Sequence, residues 1–454
     1  MARCVLLPLL LLVAVPATAQ TPVKPVLHCT LAQCTARALS RSPFLAAARL
    51  GVDQYQSKLR EAHSVFYPKL EVNGFASVLP ALKPGHDGSK PMDDYDFTRL
   101  GPLGVGSIGI AQTLSTFGKV NTLQELAEKG IDIARTTVRV AEDEMRYQLA
   151  RAWWGLVLVA DLRSLTDDVR RLLDETRTKL DKQRDEGDAA FNQNDLLKLN
   201  VYAAEIEEKL RTFARNREQA LDGLRLAMGD DAAQDIVPAG ELTAVVVPAM
   251  PIEAAEQLAV ANAPRLVAQR GGVQARLLQV DAAQANWWPD LLFVARVAGT
   301  YAPTRDENSD SLATNPSNTA TTGLGVVLRW TLDIWRQLER VEQAELDLRQ
   351  AQLAIAGETA RTRTDARQLF REMMDAHAMI GIQDKAHRAA RGLLTAETQA
   401  YDDGFGDFTE VLRAMESYTR RRLAFAEAMF TYNVAVAALS RQVGMDLTTL
   451  QRVL

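Results

Sequence analysis

The chain repeats itself. Ser42-Pro43-Phe44-Leu45-Ala46-Ala47-Ala48-Arg49 resembles Ala263-Pro264-Arg265-Leu266-Val267-Ala268-Gln269-Arg270. At the same offset of 221 residues, Phe66-Tyr67-Pro68-Lys69-Leu70 matches Trp287-Trp288-Pro289-Asp290-Leu291. Later the offset becomes 215, where Leu226-Ala227-Met228-Gly229 answers Arg441-Gln442-Val443-Gly444. Self-similarity at a near-constant offset marks a duplicated unit, so the two halves are expected to fold alike. The first copy is read as residues 20–236 and the second as 252–454, joined through the Pro- and Val-rich stretch 237–251.

Each copy has the same order of parts. A helix is predicted over 45–65 and again over 266–286, from heptad-like apolar spacing and alanine content. Each stops at a proline (Pro68, Pro289), which cannot continue a helix and drives its predecessor to extended geometry. A strand pair follows, about 69–114 in the first copy and 290–333 in the second, with polar loops at 80–103 and 302–320. Residues 119–184 and 336–398 then run without proline, far beyond the usual helix of about 11–12 residues, which points to coiled-coil packing. Gly187 and Gly404 break these runs, and returning helices are predicted over 195–227 and 409–442. The two shorter helices of a copy together nearly match its long one, so they are expected to flank it end to end.

The strands alternate. Leu70, Val72, Gly74, Ala76 and Val78 interleave with Glu71, Asn73, Phe75, Ser77 and Leu79. In the second copy Leu291, Phe293, Ala295, Val297 and Tyr301 share a face, with Arg296, Ala298 and Thr300 opposite; Leu324, Val326, Leu328, Trp330 and Leu332 share another, with Gly325, Arg329 and Thr331 opposite. The same pattern fits an ordinary half-buried antiparallel sheet. It also fits a membrane barrel, with apolar rows toward lipid and Arg296, Arg329, Thr300 and Thr331 toward a wet lumen. Four strands cannot close a barrel alone, so a membrane reading requires copies to share their edges.

The ends and composition narrow the compartment. Arg3, the apolar run 6–15 and Ala17-Thr18-Ala19 form a signal-peptide pattern over residues 1–19, with the mature chain starting at Gln20; an uncleaved anchor is the other reading. Beyond it, no run of 18 apolar residues predicts a membrane helix. Cleavage removes Cys4 and leaves Cys29 and Cys34, which in an oxidising compartment form either a disulfide or two free thiols. The chain is 24% charged, with a net charge of −5 and no basic stripe, which argues against a nucleic-acid partner.

Signal peptide, tandem repeat, the order helix–proline–strand–loop–strand–long helix, and glycine tips together resemble the TolC outer-membrane efflux family over nearly the whole mature chain. The resemblance implies a mainly α fold with a small β part: a homotrimer in which four membrane strands per protomer build a 12-stranded β-barrel above a periplasmic α-helical barrel. It implies a passive export duct in the outer membrane, working with a periplasmic adaptor and an inner-membrane pump and opened at its periplasmic tip. Tyr401-Asp402-Asp403-Gly404 and Phe408-Thr409-Glu410-Val411-Leu412-Arg413-Ala414 resemble the family's tip segment, which places Tyr401, Glu410 and Asp195 at gate positions. Arg413 departs from the pattern, standing where a second acid is often found. Read from the residues alone, Asp195 and Glu410 also suit helix starts, where acids meet the positive end of the dipole. Gly187 and Gly404 are the tip turns, against which an adaptor would dock.

Other classes find less support. Gly104-Val105-Gly106-Ser107-Ile108-Gly109 fits a dinucleotide string but lies in a predicted strand, without the helix that would receive phosphate. His377 and His387 are ten apart, not at zinc-ligand spacing. No catalytic constellation, metal cluster or cofactor motif is found, and the chain is read as a non-enzyme. The alternative function is a periplasmic coiled-coil adaptor or scaffold of an export complex. Phe66, Tyr67, Trp287 and Trp288 suit either a membrane interface or a packed bend, and Trp153 and Trp154 are read as coil packing.

Overall fold

The computed structural model of the protein describes residues 26–82, 95–187, 191–229, 235–305 and 317–449. The signal segment and the first cysteine lie outside the described residues. In chain order the elements are β1 (Val26–Cys29), α1 (Leu31–Arg41), α2 (Pro43–Ser64), β2 (Lys69–Leu82), β3 (Tyr95–Ser115), α3 (Lys119–Asp185), α4 (Gln193–Met228), β4 (Asp235–Pro238), α5 (Ile252–Asn262), α6 (Pro264–Ala285), β5 (Asp290–Tyr301), β6 (Thr319–Arg329), α7 (Ile334–Asp402) and α8 (Phe408–Val443).

The repeated motifs meet in space. Pro43 and Pro264 open α2 and α6 at the first helical position, where the missing N–H costs nothing. Gly229 and Gly444 close α4 and α8 with left-handed backbones, φ 65° and 69°. A Cβ on Gly229 would lie 2.9 Å from the Arg41 carbonyl and 3.2 Å from the Pro43 ring, and one on Gly444 2.7 Å from the Asn262 carbonyl. In each half, therefore, the end of the returning helix presses on the proline corner of the opening one, and only glycine fits. The corner is braced twice in the same way: Arg49 donates to the Leu39 carbonyl and Arg270 to the Val260 carbonyl, each at 2.9 Å.

Three layers stack along the molecule with one lateral order. The sheet runs β2-β3-β5-β6, antiparallel throughout. Beneath it α3 lies between α2 and α6, and α6 also packs on α7. Lower still, α3 lies between α4 and α8, and α8 packs on α7. The 22-residue α2 and 36-residue α4 thus share the 67-residue α3, as α6 and α8 share the 69-residue α7. The main core gathers around α3, with Leu149, Trp153, Leu162, Leu199, Leu221 and Met415 fully or nearly fully buried.

Several elements differ from the sequence reading. β2 and β3 reach further than predicted, taking in the described parts of 80–103, because their ladder continues past an irregularity at Pro80/Ala81. β6 stops at Arg329, short of Trp330, Thr331 and Leu332: the Trp330 indole N–H donates to the Trp287 carbonyl, at 3.0 Å, and α7 starts at Ile334. Helices α1 and α5 and the parallel pair β1–β4 were not foreseen. Thr30-Leu31-Ala32-Gln33 is a capping box in which the Gln33 N–H donates to Thr30 Oγ1 and the Thr30 N–H to Gln33 Oε1. Cys29 and Cys34 form a disulfide, their Cα atoms 6.0 Å apart, tying β1 to α1. Among the described residues one helix, α8, is long and apolar enough to cross a membrane by composition, although it holds no unbroken run of 18 apolar residues. Its apolar side packs on α3 and α7.

Candidate functional site

The candidate residues fall at opposite ends of the molecule. α3 alone, at 1.5 Å per residue, separates them by roughly 100 Å.

At the helical end, the two hairpin turns are built alike. Gly187 and Gly404 take φ of 70° and 80°, reversing the chain after α3 and α7. Asn192 and Asp407 then cap the returning helices, accepting from the backbone N–H of Asn194 (3.0 Å) and Thr409 (2.9 Å). The Thr409 backbone N–H holds the Asp407 carboxyl below its ordinary range. Asp195 and Glu410 occupy the same place, in the first turn of their helices. Each acid is met one turn on by a base of its own helix: Lys198 Nζ lies 3.2 Å from Asp195, and Arg413 pairs with Glu410. Arg413 is thus positioned to offset the carboxylate before it.

Cross-links hold the two turns together. Lys198 donates to Thr409 Oγ1 at 2.8 Å, joining the starts of α4 and α8. Lys179 of α3 pairs with Asp402 and sits 5.0 Å over the Tyr401 ring, which packs 5.6 Å from Phe408. Burial pushes the Tyr401 hydroxyl pKa up. Lys179, Asp402 and Lys198 were not singled out from the sequence, because Lys179 and Asp402 lie 223 residues apart and carry no local pattern. Gly406 was also missed, though Gly404-Phe405-Gly406 is a turn signal. A Cβ there would lie 2.7 Å from the Tyr401 nitrogen. This tight turn leaves Phe405 92% exposed.

At the strand end, the register sorts the side chains. Leu70, Val72 and Val78 of β2, Ile108 and Ile110 of β3, Val297 of β5, and Leu324, Val326 and Leu328 of β6 share one face, and all are exposed. No charged residue stands on that face within the paired register. The opposite face carries Lys69, Glu71, Asp290, Arg296 and Arg329, with Asn73, Ser107, Thr300, Thr319 and Thr321. Arg296 and Arg329 therefore share the polar face, with Arg329 directly across from Asp290. Thr331 lies beyond β6 and has no place in the register. The glycine string Gly104–Gly109 lies within β3.

Between helices and sheet, aromatic rings gather at the strand bases. Phe117 stacks on Trp288 at 6.5 Å, and Tyr67, Trp330 and Trp335 are exposed nearby in sequence. Trp153 and Trp154, by contrast, are buried edge-to-face at 4.8 Å, and the Trp153 indole donates to the Cys29 carbonyl.

Residues 256–445 match the family profile described as Outer membrane efflux protein. The TolC-type resemblance is borne out. The solved structures agree in fold. CusC, in a structural study of its folding and transmembrane channel formation, superposes with a TM-score of 0.73 at 15% identity, over 92% of this chain and 93% of its own. The outer membrane protein VceC from Vibrio cholerae gives 0.69 at 17%, covering 92% and 96%. The open-state MtrE outer membrane channel of Neisseria gonorrhoeae gives 0.71 at 17%, covering 92% and 89%. No curated protein sequence matches the chain. The mainly helical, outer-membrane-channel fold is thereby established on shape.

Proposed function

We propose that the chain is the channel subunit of a tripartite efflux or type I secretion system: a passive export duct in the outer membrane whose helical part hangs in the periplasm. It works as a homotrimer, with an adaptor protein and an inner-membrane pump, and does no chemistry itself. Two units, 20–236 and 252–454 about the joint 237–251, supply the protomer.

The observation that carries this reading is that every layer has the same open edges. β2, α2 and α4 end one side and β6 and α7 the other. The edge strands β2 and β6 are 14 and 11 residues long, unpaired on their outer sides among the described residues, and belong to a sheet whose uncharged face is exposed. In water that is an aggregation hazard, and in lipid it satisfies its backbone only by pairing β6 of one copy with β2 of the next. Three copies give 12 strands, an even number above the usual minimum of about eight. The same rotation brings α7 against α2 and α4, turning the helical layers into a continuous wall.

Within that wall the turns act as the periplasmic gate. Asp195, Glu410 and Tyr401 form its closed contacts, Arg413 tempers the acid ring, and Gly187 and Gly404 set the turns on which the adaptor docks. Arg296 and Arg329 line the barrel lumen. The deciding measurement is the native mass of protein extracted from purified outer membranes in mild detergent. About three protomers is the expected result; a soluble periplasmic monomer would sink the channel reading and favour the adaptor.

A further inference from the structure

We propose that Arg296 makes the strand barrel an anion-attracting station, so that the exported cargo carries carboxylate, sulfonate or phosphate groups. The inference rests on the channel reading above and concerns what that channel prefers.

The register leaves Arg296 with no side chain beside it in its own row. Its neighbours in the same row are Gly109 on β3 and Gly323 on β6, neither of which raises a side chain beside it. The Arg296 stem runs over Gly109, where even a Cβ would come within 3.9 Å of its Cγ. Its guanidinium donates to Ser107 Oγ at 3.1 Å. A guanidinium has five N–H donors, so most of its fork stays available to a planar anion. Arg296 is exposed on this polar face and has no carboxylate within ion-pair reach among the described residues.

The other charges of the face each stand beside a charge of opposite sign in the sheet. Lys69 and Glu71 stand two residues apart on β2, side by side on one face. Arg329 is opposite Asp290, which Lys119 also holds at 2.8 Å. The nearest acid in the Arg296 row is Glu71, two strands away across Gly109. Two strand spacings are about 10 Å, beyond the screening length of about 8 Å at physiological salt. In a trimer, three such guanidiniums would face the lumen, each flanked in its row by Gly109 and Gly323, with Glu71 the next side chain beyond Gly109. Rings of basic side chains are how pores favour anions. At the tips Asp195, Asp402 and Glu410 are each paired with a base.

The test uses full-length protein reconstituted in planar bilayers across a potassium chloride gradient. Replacing Arg296→Glu should lower the chloride-to-potassium permeability ratio several-fold, while Arg296→Lys should keep it. Arg296→Cys should be modified by a negatively charged methanethiosulfonate, with a drop in current; the remaining cysteines of the mature chain are joined in a disulfide. If Arg296→Cys is modified but Arg296→Glu leaves the permeability ratio unchanged, the anion proposal falls and the channel stands. If wild-type protein carries no current at all, the channel reading fails and takes this proposal with it.

Discussion

The two long helices α3 and α7 have nearly the same length and grow from equivalent sequence positions, yet they live in different surroundings. α3 has neighbours on both sides in both helical layers, and its buried residues run from Val120 to Leu180. α7 packs on α6, α8 and the short α5, and before Thr362 its sole buried residue is Gln337. Its bare side shows Leu338, Leu346 and Leu353, the last 69% exposed. The difference teaches that duplication does not make two equal helices. One copy's long helix becomes the axis of the protomer, and the other's is left as an edge, which the channel reading covers with a further copy.

Substitutions on the two helices should therefore fail in different ways. Trp153→Ala on α3 removes a buried indole together with its bond to Cys29. It should cost about 3–5 kcal/mol of protomer stability, read as a lowered unfolding midpoint. Leu353→Asp on α7 should change protomer stability by no more than about 0.5 kcal/mol, yet shift the native mass from trimer to monomer. Equal unfolding losses in both variants would erase the contrast.

A smaller effect sharpens the contrast at the contact between the two repeats. Tyr202 of α4 is buried and shares a hydrogen bond of 3.0 Å with Thr419 of α8. Burial pushes its hydroxyl pKa up to about 12. The unfolded chain, with an ordinary tyrosine near 10, gives up this proton first. The stability that depends on the neutral hydroxyl is thus fully present below pH of about 10 and is lost as pH rises toward about 12. Alkaline unfolding of wild type should steepen in that window, and Tyr202→Phe should remove that component. An identical alkaline profile in the variant would dismiss it.

The smallest effect is expected at the tips. Glu410→Gln removes one member of an exposed pair one turn apart, worth about 0.2–0.5 kcal/mol, so the unfolding midpoint should barely move. Single-channel conductance or ion selectivity should change nonetheless if Glu410 is part of the gate. Unchanged currents would leave Glu410 as a helix-start acid and nothing more.

Much of this architecture is legible in the chain because its signals are local. Proline corners, glycine ends and long proline-free runs put most helix boundaries within a few residues of those observed, and period-two alternation placed Arg296 and Arg329 on one face. What the alternation did not give was the length of β2 and β3. A ladder's extent depends on its partner, and residues 80–82 and 95–103 pair because the opposite strand is there. The short α1 and α5 were hidden by their small size, although Thr30 and Gln33 carried a capping signal.

By itself, then, the sequence determined the repeated unit, the helix and strand types and the polar face of the sheet, because periodicity and backbone chemistry act over a few residues. Only the tertiary structure decided which long helix is central and which is an edge. It also decided that Lys179 meets Asp402, that Tyr202 meets Thr419, and that Cys29 closes on Cys34. All but the last join segments more than 200 residues apart. Such pairs are chosen by the packing of whole helices, and nothing in the neighbouring residues specifies them.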